Sequence, residues 1–193
     1  MIIGITGGIG SGKSYVSQWL SHHYRIPVYD CDREARRLML GAAIRKKLKA
    51  LVGDDAYLPD GQLNKPRLAD YVFADANHTE AVNAIVHPVV KRDVKRWAAR
   101  QGGLVLVESA ILVEAHFLDT VDKVIVVEAP LSLRVQRVVQ RDGTTEEQVM
   151  ARIAHQLSDE ERRQVADLVV VNDGRDFREQ LSSFMDTILA CNS

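Results

Sequence analysis

Gly7-Gly8-Ile9-Gly10-Ser11-Gly12-Lys13-Ser14 is the stretch that decides the fold. An apolar run, Ile2-Ile3-Gly4-Ile5-Thr6, precedes it and reads as a buried strand. Tyr15-Val16-Ser17-Gln18-Trp19-Leu20 follows and reads as a helix with Val16, Trp19 and Leu20 on one face. Strand, glycine loop, Lys-Ser and helix are together the context that a phosphate-binding P-loop requires. The glycines let the backbone curl so that successive N–H groups point into one concavity. The helix N-terminus adds unpaired N–H groups and partial positive charge. Lys13 can reach the β- and γ-phosphates of a nucleotide, and the Ser14 hydroxyl can ligate Mg²⁺. A glycine-rich turn with no ligand would not need the loop and both flanking elements to agree at once.

At 193 residues, with 46% apolar and 26% charged side chains, the chain suits one globular domain with a single core. A net charge of −1 gives no global basic field for nucleic acid or a membrane surface. No apolar run approaches the roughly 20 residues of a membrane span. The P-loop begins too early to leave room for a signal peptide. Cys31 and Cys191 are too few for a disulfide framework, so a reducing cytoplasm is expected.

Working outward from the loop, a second short strand near 26–30 ends in Asp30-Cys31-Asp32. Acidic residues at the carboxyl end of a parallel strand face the edge where α/β sheets bind ligands. Strand alternation sends Asp30 and Asp32 to one side and Cys31 to the other. Either aspartate could instead cap the helix that follows, Arg33 to Leu40. Near-continuous apolar runs at 104–108, 123–127 and 168–171 read as further buried strands. With helices between them, the five strands predict an α/β, three-layer P-loop fold on a parallel sheet. The expected core is 1–40, 102–129 and 158–193. Residues of about 41–101 show no strand pattern and read as an inserted helical subdomain that holds a second substrate. Its longest helix is expected to be capped by Thr79, to bury Val82, Ile85, Val86, Val89, Val90 and Trp97, and to kink or break at Pro88 beside His87.

Residues of about 130–157 read as a helical hairpin. Arg134, Arg137 and Arg141 share one helical face. Thr144 and Glu147 have capping-box spacing, and so do Ser158 and Glu161. A cationic hairpin near a P-loop describes a lid that brings arginines to a transferring phosphoryl group and excludes water. Surface solvation of the arginines is the competing reading, strongest for Arg134. Asn172-Asp173-Gly174 ends the last strand, either as an Asx-type turn or as part of the ligand edge.

P-loops serve GTPases, motor ATPases and small-molecule kinases alike. The Asn-Lys-x-Asp segment that specifies guanine is not in this sequence, and no strand ends in an obvious Asp-Glu pair. A strand-end aspartate pair, a large helical insertion and an arginine lid are the plan of a phosphotransferase with an acceptor site and a closing cover. A nucleotide-dependent switch would need neither cover nor acceptor site.

The sequence resembles the dephospho-coenzyme A kinase family nearly end to end. Gly4 to Ser14 is similar to that family's opening. Val28-Tyr29-Asp30-Cys31-Asp32 with Ala35-Arg36 resembles its Asp-x-Asp segment. Asp60-Gly61-Gln62-Leu63-Asn64-Lys65 with Leu68 and Val72-Phe73 is similar to its Asp-Gly-x-Leu-Asp-Arg stretch, and Asn83-Ala84-Ile85-Val86-His87-Pro88 matches its Asn-x-Ile-x-His-Pro motif. Gln140-Arg141-Asp142, Arg152-Ile153, Gln156, Ala166-Asp167 and Asn172 follow its lid and last-strand pattern. Tyr15, Asn64-Lys65 and the segment Glu108 to Glu114 depart from the commoner residues there. The resemblance implies ATP and 3′-dephospho-coenzyme A as substrates, Mg²⁺ as cofactor, and a monomer or weak homo-oligomer. It implies Gly8, Ile9, Gly10, Ser11, Gly12, Lys13, Ser14, Tyr15 and Asn172 around ATP. Lys13, Asp32, Arg137 and Arg141 are the implied catalytic set, with Asp32 as base. Asp30, Arg36, His87 and Glu108 are implied on the acceptor. A nucleoside or nucleoside-monophosphate kinase is the alternative that shares the fold plan.

Overall fold

A computed structural model describes residues 1–191. The chain forms two compact units, Met1–Tyr29 with Gly103–Ser193, and Asp30–Gly102.

The first unit is built on the sheet. β1 (Ile2–Thr6) is central, with four consecutive buried residues after Ile2, as a strand covered on both faces requires. Its neighbours are β3 (Val105–Glu108) and β4 (Lys123–Glu128). β2 (Val28–Asp30) lies beyond β3 and β5 (Leu168–Val171) beyond β4, so the order is β2-β3-β1-β4-β5. β1 pairs in parallel with β3 (Gly4 opposite Val107) and with β4 (Gly4 opposite Val124), and β4 pairs in parallel with β5. The five expected strands therefore form, although β2 is shorter than the expected 26–30. The order reverses beside β1, which places a ligand crevice at the carboxyl ends of β1 and β3.

α1 (Lys13–Tyr24) buries Val16, Ser17 and Leu20. α9 (Arg178–Cys191) places Leu181 and Met185 in the same core as Ile3, Ile5, Leu106, Ile125 and Val170. Between β4 and β5 run α6 (Leu131–Asp142), α7 (Glu146–Ala154) and α8 (Asp159–Arg163). Gly143 ends α6 in the left-handed region, its N–H donating to the Val139 carbonyl. Thr145, one residue past the expected Thr144, caps α7. Ser158 and Glu161 do form a reciprocal capping box on α8.

The second unit is helical: α2 (Cys31–Met39), α3 (Ala42–Val52), α4 (Lys65–Ala74) and α5 (Ala76–Gln101). It begins at Asp30, so α2 belongs to it, some ten residues before the expected start near 41. Ile44, Leu48 and Val52 of α3 and Val82, Val86, Val90 and Val94 of α5 are its buried apolar residues at helical spacing. Tyr57 donates its hydroxyl to the Met39 carbonyl at 2.6 Å, and Asn64 caps α4.

Of the residues expected to be buried in α5, Ile85, Val89 and Trp97 are only half-buried, because the stripe runs at a spacing of four through Val82, Val86, Val90 and Val94. Two further local expectations fail there. The cap is Asp75, which accepts from Asn77 N, while the Thr79 hydroxyl donates to the Val72 carbonyl at 2.9 Å. The helix also runs unbroken through Pro88. The buried valine stripe continues on both sides of the proline, so packing outweighs the one missing backbone hydrogen bond. Pro88→Ala is expected to stabilise the chain by about 1 kcal/mol or more, because it supplies an N–H for the Ala84 carbonyl. A urea midpoint unchanged or lowered would contradict this.

Candidate active site

A phosphate loop that turns its N–H groups inward turns its carbonyls outward, and outward carbonyls need donors once protein covers them. Every carbonyl from Gly7 to Gly12 has one. Lys13 Nζ donates to the carbonyls of Gly7 (3.0 Å) and Gly8 (3.3 Å). Arg134 Nε donates to the Ile9 carbonyl at 3.0 Å. Arg137 Nη1 lies 3.4 Å from both the Gly10 and Ser11 carbonyls, and its Nη2 donates to the Asn172 carbonyl at 3.2 Å. Asn172 Nδ2 donates to the Ser11 carbonyl at 2.9 Å, and the Gly12 carbonyl accepts from Tyr15 N and Val16 N.

These contacts demand glycine. Gly10 has φ +78°, and a Cβ there would lie 2.4 Å from the Arg134 carbonyl oxygen. Gly12 has φ +93°, and its Cβ would lie 2.0 Å from Asn172 Nδ2. No side chain caps α1, whose first residue is Lys13, so the helix brings the partial positive charge of its N-terminus to the loop.

The hairpin grips the same loop. Ile9, with Val139 and Ile153, packs against the buried cluster of Val135, Val138 and Val149. The Ile9 N–H donates to Gln156 Oε1 at 2.8 Å, just beyond α7. Arg134 is only 4% exposed, which overturns its reading as a solvated surface arginine. The covered Ile9 carbonyl and the Asp159 carboxylate hold it there. Its spacing of three from Arg137 was the signal in the sequence, since one face carries both residues onto the loop. Arg141 is placed differently. It is exposed at the end of α6 and forms a two-pronged pair with Asp142 at 2.7 and 3.1 Å. Arg152 adds a contact to the same carboxylate at 3.2 Å. Hydrogen bonding from Arg141 holds the Asp142 carboxyl below its usual range and raises the guanidinium in turn.

Glu108 ends β3 beside the loop. Its two oxygens accept from Ser14 Oγ and from Ser17 Oγ, each at 2.5 Å. An acid at this end of β3 is thus brought to the phosphate-loop serine, although no Asp-Glu pair advertises it. Ser17 has no motif to mark it; only its place one turn after Ser14 puts it on the same face. Tyr15 is 52% exposed, with its ring edge-on to Phe177 at 5.6 Å. Asp173 accepts from Arg175 N, which makes the Asx-type turn, and the Arg175 guanidinium lowers its carboxyl to about 2.

The remaining candidates belong to the helical unit. Asp30 caps α2, accepting from Arg33 N at 2.9 Å. Helix rather than strand begins at Cys31, so Asp32 sits in the first turn of α2 and strand alternation does not set its direction. Asp32 is exposed, as is Arg36 one turn later, while Cys31 is buried. His87 is half-buried on α5.

A dephospho-CoA kinase family model matches residues 1–177. The chain belongs to the dephospho-CoA kinase family. It is 47% identical over 175 residues to a dephospho-CoA kinase of Bacteroides fragilis, covering 89% of this chain and 84% of that one. Among solved structures, TT1252 from Thermus thermophilus is 36% identical, with a TM-score of 0.82 and coverage of 100% and 98%. Shikimate kinase from Acinetobacter baumannii in complex with shikimate shares the fold, with a TM-score of 0.57, 16% identity and coverage of 98% and 93%. This member of the dephospho-CoA kinase family is therefore an ATP-dependent kinase on a five-stranded P-loop sheet.

Gly10→Ala tests the loop geometry of this family member directly. The added methyl meets backbone, not a flexible side-chain end. ADP affinity is expected to fall by about 100-fold or more, with helix content by circular dichroism retained. Unchanged affinity would show that the loop relaxes freely.

Proposed function

We propose that this chain transfers the γ-phosphoryl group of ATP to the ribose 3′-hydroxyl of dephospho-CoA, releasing ADP and CoA in the last step of CoA biosynthesis. The observation that carries the reading is the phosphate loop, with each carbonyl tied by lysine, arginine, asparagine or backbone donors, in a chain matched by the family model.

The backbone from Gly8 to Ser14 binds the β-phosphate. Lys13 exchanges the Gly7 and Gly8 carbonyls for phosphate oxygens. Asn172 and Arg137 keep the loop shaped around the nucleotide, and Tyr15 borders it. Arg141 exchanges Asp142 for the transferring group as the hairpin tip closes. Asp32 orients the acceptor hydroxyl and accepts its proton. Asp30, Arg36 and His87 hold the acceptor. We assign Glu108 to this half-site as well, by way of the serines it binds.

The oxygens of Ser14 and Glu108 suit a hard cation such as Mg²⁺. Among the described residues no group of three or more His, Cys, Asp or Glu side chains could hold a metal alone. That fits an ion held by one or two protein oxygens together with substrate phosphates. Ser14, backed by Glu108, would hold it, and its positive charge offsets the phosphates.

Among the described residues no helix is long and apolar enough to cross a membrane. The net charge of −1 gives no field for nucleic acid or a membrane surface, and the proposal is of a cytoplasmic enzyme, monomeric or weakly self-associating, without such partners.

Phosphoryl transfer has a loose transition state, so charge and positioning outweigh the base. Lys13→Ala and Arg141→Ala are each expected to lower kcat/KM at least as much as Asp32→Asn. Nearly full kcat in Asp32→Asn would remove Asp32 as base. A coupled ADP-release assay with dephospho-CoA, AMP, CMP, adenosine and shikimate tests the acceptor. Dephospho-CoA should turn over far ahead of the others. Faster turnover of a nucleoside or a nucleoside monophosphate would reassign the acceptor.

A further inference from the structure

The most buried arginine of the sheet unit is one that the transfer chemistry leaves unused. Arg162, in α8, is 1% exposed. Its Nη1 donates to Asp159 Oδ1 at 3.2 Å and its Nη2 reaches Glu114 Oε1 at 3.5 Å. Asp159 also receives Arg134 Nη1 on both oxygens, at 3.2 and 3.1 Å. Arg134 Nε in turn donates to the Ile9 carbonyl. Charges thus alternate from Glu114 through Arg162, Asp159 and Arg134 to the phosphate loop. Glu114 Oε1 also accepts from Leu157 N at 3.3 Å, one residue past Gln156.

Stability does not account for this chain. Buried ion pairs often hold a fold no better than apolar groups of equal volume. Here Glu114 Oε2 and Arg162 Nε are buried with no hydrogen-bond partner, an added cost. Direction is what apolar packing cannot supply. The Arg134 guanidinium must present Nε to one carbonyl while lying against the loop so closely that a Cβ on Gly8 would be 2.0 Å from its Nη2. A planar fork gripped at Nη1 by a fixed carboxylate has one orientation left.

We propose that Asp159 and Arg162 are positioning residues for nucleotide binding, which through Arg134 fix the Ile9 peptide and so the curl of the loop. The proposal deepens the ATP-site reading above and is independent of the acceptor, because ADP alone reports on it.

The test compares ADP titration by calorimetry, KM for ATP, KM for dephospho-CoA and thermal midpoint across three variants. Asp159→Asn keeps the shape and removes the charge. ADP affinity should fall about tenfold, the size of one charge-assisted hydrogen bond, with KM for ATP rising in step. KM for dephospho-CoA should stay within about twofold, as expected of a site that shares no partner with the change. Arg162→Lys, which keeps the charge but not the fork, should recover only part of the wild-type affinity. Arg162→Met with Glu114→Leu leaves no buried charge between them, so it should match or exceed wild type in thermal midpoint and still bind ADP weakly. Wild-type ADP affinity in this double variant would overturn the proposal. So would a midpoint loss in Asp159→Asn with ADP affinity unchanged. If dephospho-CoA proves not to be the acceptor, the ADP titrations stand.

Discussion

The structure depends on one constraint: a loop that offers its N–H groups to an anion must have its carbonyls satisfied from behind. Gly7 to Ser14 cannot do this alone. Donors come from α1 through Lys13, from α6 through Arg134 and Arg137, and from the end of β5 through Asn172. The sheet order brings these together, since β4 lies next to β1 and β5 next to β4. The segments that follow β4 and β5 therefore arrive at the loop that follows β1. Glu108 arrives from the other side, at the end of β3, and takes the hydroxyls of Ser14 and Ser17.

Much of this was legible in the sequence because short-range signals carried it. The P-loop, the apolar runs and the Ser158–Glu161 box depend on neighbouring residues, and each forms as expected. What stayed hidden depends on contacts across long stretches of chain. Arg134 looks like any helical surface arginine until Asp159 and the Ile9 carbonyl enclose it, 125 residues from its carbonyl partner. Glu108 looks like a strand-end acid until Ser17, 91 residues away, is placed on it. Thr79, the expected cap of α5, instead gives its hydroxyl to the Val72 carbonyl of α4, and Asp75 caps the helix.

Asp30 and Asp32 mark a different limit. Strand alternation was the right rule for a strand, but the strand stops at Asp30 and the helix begins at once. One aspartate is absorbed by the cap and the other is left exposed in the first turn, near the positive end of the helix. Pro88 shows the reverse, a strong local signal for a break that a buried valine stripe overrides.

The hairpin's attachment has a mechanical meaning. Arg137 on one leg and Gln156 just beyond the other are both bonded to the backbone between Ile9 and Ser11. Arg141 and Asp142, a turn further out, are tied to each other and to Arg152, not to the loop. A flap anchored at both feet cannot swing open as a rigid body without releasing the backbone it is anchored to. Free movement is confined to the tip around Gly143. Any wider excursion would break the bonds to Ile9, Gly10 and Ser11 at the same moment, so hairpin angle and loop order are a single coordinate.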